Sequence, residues 1–162
     1  MQTIQLDNAE FLPCVCELIN EGHTVSIRAK GNSMRPFVES DRDVAVLAHS
    51  DGYKTGDVVL AEIAKGRFVL HRIDRIDGRD VTLRGDGNVA GTESCTLDDL
   101  RAITVQFIRN GRTWNLQTSK VWKVYSRLWV GLLPVRRYLL ALYRLLWRHE
   151  LPVRIRRIFK GK

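Results

Sequence analysis

Cysteine is scarce in this chain of 162 residues, which holds only Cys14, Cys16 and Cys95. Three thiols cannot all pair with one another, and no second Cys or His cluster supplies four zinc ligands. Neither a disulfide framework nor a zinc site is indicated, no cofactor is expected, and a reducing compartment is favoured. Cys14 and Cys16 lie two apart, on different sides of a helix, and ordinary burial accounts for them better than redox chemistry. The start, MQTIQLDNAEFLPC, lacks a basic segment followed by a long apolar run. Neither a signal peptide nor an N-terminal span is therefore expected, and the expected location is cytoplasmic or peripheral at the cytoplasmic membrane. No stretch approaches the roughly 18–20 uninterrupted apolar residues that a spanning helix needs. Internal repeats and low-complexity segments are missing too.

What the C-terminal quarter lacks is acid. Residues 119–162 hold 12 Lys/Arg against the single Glu150, whereas residues 1–118 hold 14 Lys/Arg against 17 Asp/Glu. The formal net charge of +8 thus belongs to the tail, which will seek anions: acidic lipid headgroups, nucleic acid or an acidic partner. The length suits one ordinary domain with an appendage, and a 44% apolar composition is enough to fill a core. We expect a β domain over 1–118 and a basic amphipathic helical tail over 119–162.

Asp7 followed by Glu10 reads as a capping box, with Gly22 as a stop, so a helix is predicted over residues 8–20, with Pro13 placed to kink it. From His23 onward the period becomes two. TVSIRA, DVAVLAH, DVVLAEI, RFVLHRID, DVTLRG, AITVQFIR and TWNLQ are short Val-, Ile-, Leu- and Thr-rich runs separated by Gly, Asp and Asn. Asp77-Gly78 and Asn110-Gly111 are hairpin dipeptides that tolerate positive φ. These patterns predict a mainly β fold, a partly closed antiparallel β-barrel with an N-terminal helix. After Gln117, Pro134 and Pro152 divide the tail into three helical pieces. In the first, Lys120, Lys123, Ser126 and Arg127 fall on one side, with Val121, Trp122, Val124, Tyr125, Leu128, Trp129 and Leu132 on the other. In the second, Arg137, Arg144 and Arg148 form a narrow basic stripe. Basic amphipathic helices of this kind suit the membrane interface.

Two residues could carry chemistry. Ser33, in KGNSMRPF, sits between a strand-like run and Pro36, where a nucleophilic hydroxyl would be exposed beside free backbone N–H groups. Taken alone, it reads as a turn cap. His71, in FVLHRIDRI, has the side chain best suited to accept a serine proton near neutral pH, provided that a third group fixes its tautomer. A lone strand histidine is more often structural. What joins them is the ordered set SMRP at 33–36, GDVVL at 56–60, HRI at 71–73 and RGDGN at 84–88.

That set resembles the type I signal peptidases of the endoplasmic-reticulum, archaeal and some Gram-positive kind. They share a superfamily with the self-cleaving SOS repressors, the LexA/signal peptidase type. The resemblance covers residues 31–88 and implies a barrel of that type, with Ser33 as catalytic serine and His71 as its base. Relatives with a Ser/Lys dyad carry lysine where this chain has His71. In the histidine type an orienting aspartate follows the G-D-N box by several residues, whereas here Gly91 and Thr92 stand in that region. Asp86 is the best substitute, with Glu93 behind it; Asp86 also reads as a simple turn residue between Gly85 and Gly87. A Ser/His dyad without an acid is the remaining arrangement.

The function implied is a serine-type endopeptidase acting on a polypeptide substrate, removing a leader or signal segment near a membrane surface. The tail would supply peripheral association with anionic lipid, through Trp122, Trp129, Tyr138, Tyr143, Trp147 and the basic residues. The alternative is a catalytically impaired binding protein on the same scaffold, using the tail for membrane or nucleic acid. Nucleic acid is disfavoured because the tail is richer in leucine and aromatics than a solvated DNA-binding helix needs, and self-cleavage ranks last because no N-terminal domain precedes the β region.

Overall fold

A computed structural model of the chain describes residues 8–147. Asp7 of the expected capping box, Arg148 of the expected basic stripe and the third tail piece, LPVRIRRIFKGK, lie outside the described residues. The first helix, α1 (Asn8–Asn20), has the expected bounds and contains Pro13. Eight strands follow: β1 (Val25–Arg28), β2 (Val44–Ala48), β3 (Val58–Ala64), β4 (Arg67–Asp77), β5 (Asp80–Arg84), β6 (Glu93–Thr96), β7 (Leu100–Arg109) and β8 (Arg112–Asn115). Two helices, α2 (Lys120–Gly131) and α3 (Leu133–Trp147), complete the described chain.

The mainly antiparallel β architecture is the expected one. Its strand path runs β1-β2-β7-β3-β4-β5-β6 with β8 on β7, and β1 and β6 end the path without pairing to each other, so the sheet curls without closing. β3 lies at the middle of this path. Its alternate residues Val58 and Leu60 enter one core and Val59 and Ala61 a second, which is why its sequence is continuously apolar rather than alternating. The first core is closed by α1 through Leu12, Val15, Cys16 and Ile19. Ile19 is fully buried, worth about 1.5–3 kcal/mol relative to exposure. The second core joins β3, β4 and β5 through Ile73, Val81 and Leu83.

Local chemistry sets the corners. Asn110 and Gly111 form the two-residue turn between paired Arg109 and Arg112, both with positive φ (48° and 74°), as the dipeptide demands. In the β4–β5 hairpin Asp77 is the last paired residue, opposite Asp80, so the turn itself is one residue later than expected. α2 begins where the Ser119 hydroxyl accepts the Trp122 N–H at 3.2 Å, and the helical path breaks just before Pro134.

The expected faces of α2 need correction. Ser126, expected on the polar side, is buried, and Val121, Val124, Leu128 and Leu132, expected with the aromatics, are exposed. The inward stripe is Trp122, Tyr125, Ser126 and Trp129, at helical spacing. Aromatic packing selects it: Tyr125 and Trp129 lie 3.9 and 5.2 Å from the Phe37 ring, and Trp122 lies 5.7 Å from Phe107. On α3, Arg136 and Leu140 face inward, and the Arg136 guanidinium donates to the Trp129 carbonyl at 2.5 Å.

Candidate active site

The β1–β2 connection carries Ser33. Met34 and Val38 are buried and pin the loop to the first core. Asp43, at its end, accepts hydrogen bonds from the Glu39 N–H at 2.9 Å and from Arg42 and Arg109, while Arg109 also donates to the Phe37 carbonyl. Burial raises the Asp43 carboxyl, but the Arg42 and Glu39 hydrogen bonds and the Arg109 charge outweigh it and hold the group below its ordinary value. A loop anchored at both ends presents Ser33 in a fixed place, half-buried.

The RGDGN box packs directly on this loop. Gly87 N–H donates to the Ser33 carbonyl at 2.7 Å. A Cβ on Gly85 would stand 2.4 Å from that same carbonyl oxygen and 3.0 Å from Ser33 Cβ, and one on Gly87 would stand 2.9 Å from the Asn32 carbonyl. The two glycines are therefore a requirement of close approach, and any side chain there would displace the serine.

His71 lies on β4 opposite Val59 of β3 and is 4% exposed. Its Nδ1 is 2.9 Å from Glu93 Oε2. With Nδ1 carrying the proton donated to that carboxylate, Nε2 is the nitrogen that holds the lone pair. Ser33 and His71 line one cleft of about 680 Å3, together with Ser26 and Ala29 near β1, Phe68 and Leu70 of β4, and Phe11 of α1.

Asp86, the first choice from sequence for the third member, does not face His71. Its carboxylate is held by Arg72, Nε to Oδ1 at 2.8 Å and Nη2 to Oδ2 at 2.7 Å, with both side chains buried. Neighbours on a strand point to opposite faces, so His71 and Arg72 diverge, and Asp86 belongs to the Arg72 side. Glu93, the second choice, reaches His71 because β6 pairs Glu93 with Leu83 on β5. Burial works against the Arg72 charge, yet Asp86 outweighs it and raises the guanidinium above its ordinary value.

Sequence reasoning missed Arg72, Ser126 and Trp129. Arg72 Nη1 donates to the Gly56 carbonyl and to Ser126 Oγ, each at 2.7 Å, and Trp129 Nε1 donates to the Asp86 carbonyl at 3.2 Å. The GDVVL element thus serves the site through Gly56, which turns with φ +95° and offers its carbonyl to Arg72. Through Phe37, Arg72 and Asp86, α2 touches all three segments that carry or abut Ser33 and His71. An arginine directly following the histidine, in a strand with polar partners to come, was the one available signal.

Among the described residues no group of His, Cys, Asp and Glu could hold a metal ion. The model of the Peptidase S24-like family matches residues 2–107, from the N-terminal segment into β7. No curated protein matches the chain.

Proposed function

Because the chain belongs to the Peptidase S24-like family, we propose that it is a serine endopeptidase with Ser33 as nucleophile, His71 as general base and Glu93 as the carboxylate that orients the base. The observation that carries this reading is the 2.9 Å contact between buried His71 and partly exposed Glu93, at a cleft that Ser33 also lines. His71 Nε2 takes the Ser33 Oγ proton as the oxygen attacks a peptide carbonyl. Glu93 holds the tautomer and stabilises the imidazolium that forms. The tetrahedral intermediate collapses as His71 protonates the leaving amine, giving an acyl-enzyme at Ser33. A water deprotonated by His71 then releases the acid and restores the serine. Among the described residues the backbone N–H groups of Ser33 and Met34 have no hydrogen-bond partner, so they can turn to the oxyanion.

The substrate is an extended polypeptide, cleaved to remove a leader or signal segment at a membrane surface. Two open strand edges support the extended form. β1 is the end of the sheet and pairs only with β2, and residues 67–71 of β4 pair with β3 alone because β5 begins its pairing at Arg72. Both edges border the cleft, so an incoming strand can hydrogen-bond along them while Phe68 and Leu70 receive apolar side chains.

The test is labelling with a peptide-based serine-directed covalent inhibitor, followed by mass mapping. We expect modification at Ser33, abolished in Ser33→Ala and His71→Ala and slowed in Glu93→Gln. Absence of modification in folded protein, or undiminished modification in His71→Ala, would overturn the peptidase reading and leave a binding role on the same scaffold.

A further inference from the structure

The outward side of α2 and α3 is an apolar ridge without a partner among the described residues. Val121, Val124 and Leu128 on α2, Leu132 at the break between the helices, and Val135, Leu139 and Leu142 on α3 are all exposed, three or four residues apart within each helix. On a surface otherwise net negative, such a patch calls for a partner. Its charge says which kind. No Asp or Glu occurs between Asp99 and Glu150, and the exposed cations Lys120, Lys123, Arg127 and Arg137 accompany the ridge. Exposed Tyr138, with the Arg137 guanidinium 4.5 Å from its ring centre, adds an aromatic with a polar tip at the same level. Neither helix is long and apolar enough to cross a bilayer.

We propose that this face docks on an anionic lipid bilayer, the ridge lying among the upper acyl chains and the cations among the headgroups. The inference deepens, and rests on, the membrane-surface part of the function proposed above. A second copy of the chain fits worse, because joining two such faces sets cation against cation with no carboxylate to relieve them. The inward stripe of α2 is already committed to Phe37, Arg72 and Asp86, so docking uses only residues that the fold leaves outside. Fixing α2 on a bilayer therefore also fixes the elements around Ser33 relative to that bilayer.

The experiment is flotation of the full-length Ser33→Ala protein, which holds any substrate uncut, with vesicles of phosphatidylcholine and phosphatidylglycerol or of phosphatidylcholine alone. The protein is expected to float with the anionic vesicles and to float far less with the neutral ones. Lys123→Ala and Arg127→Ala should each weaken partitioning about fivefold. Val124→Glu with Leu128→Glu should abolish flotation while leaving thermal unfolding unchanged, since both positions are exposed, and Leu18→Glu on exposed α1 surface should change nothing. Three results would overturn the proposal: protein left at the bottom with anionic vesicles, flotation undiminished by the paired glutamates, or a dimer in solution that Leu128→Glu dissociates. Ser33 labelling in vesicle-free buffer reports on the peptidase separately, so the failure of one is not the failure of the other.

Discussion

At the scale of single residues, two carboxylates near the same pair of strands have opposite duties, and substitution separates them. Glu93 touches His71 and is partly exposed, so Glu93→Gln keeps the packing and removes the charge. We expect kcat to fall by roughly 10²–10⁴-fold with little change in KM or thermal stability. Asp86→Ala does the reverse first, because it leaves the buried Arg72 guanidinium without its counter-charge; a stability loss of about 3–5 kcal/mol in urea unfolding is expected. Equal effects of the two variants on stability would contradict the division. Asp43 adds a pH signature. Its folded value lies below the unfolded one, so its contribution is complete above about pH 5 and is lost as pH falls through the lowered folded value. Asp43→Asn should cost about 1–3 kcal/mol at neutral pH, and its gap from the parent protein should close in acid. A gap that is the same at both pH values would mean that the charge of Asp43 does not hold the Ser33 loop.

At the scale of elements, legibility followed whether a feature depends on local pattern or on long-range register. The strands were readable because period-two runs bounded by Gly, Asp and Asn have few other solutions, and Asn110-Gly111 because both residues tolerate positive φ. The partner of His71 was not. Asp86 and Glu93 are both near the box, and only the pairing of Glu93 with Leu83 and the opposite pointing of His71 and Arg72 decide between them. The inward face of α2 was equally hidden, because its apolar residues run nearly all round and one buried serine on the polar side has no sequence signature. That serine is testable. Ser126→Ala leaves Arg72 Nη1 with the Gly56 carbonyl alone, and Trp129→Phe removes the donor to the Asp86 carbonyl. Each should cost about 1–3 kcal/mol. Ser126→Thr, which keeps the hydroxyl, should recover most of the first loss in thermal unfolding; no loss in Ser126→Ala would show that α2 is not clamped through Arg72.

At the scale of the whole molecule, the family match and the unit that holds the site have different lengths. The match ends at residue 107, inside β7, whereas the residues that seat Phe37, Arg72 and Asp86 extend to Trp129, and Arg136 of α3 in turn bonds the Trp129 carbonyl. Composition alone invites a cut near residue 118, where negative β domain gives way to basic helix. A chain ending at Gln117 would retain both β cores, since β3, β4, β5 and α1 supply most of them, but would strip Trp122 from the first. It would also open the Phe37 ring to water and leave Arg72 Nη1 and the Asp86 carbonyl each one partner short. The cost falls on the Ser33 loop and the glycine box rather than on the sheet. We therefore expect the shortened protein to keep its β-type circular dichroism while losing inhibitor labelling at Ser33 and melting at a lower temperature. Labelling at the full-length rate would mean that the β domain alone positions Ser33 and His71, and that α2 serves only its outward face.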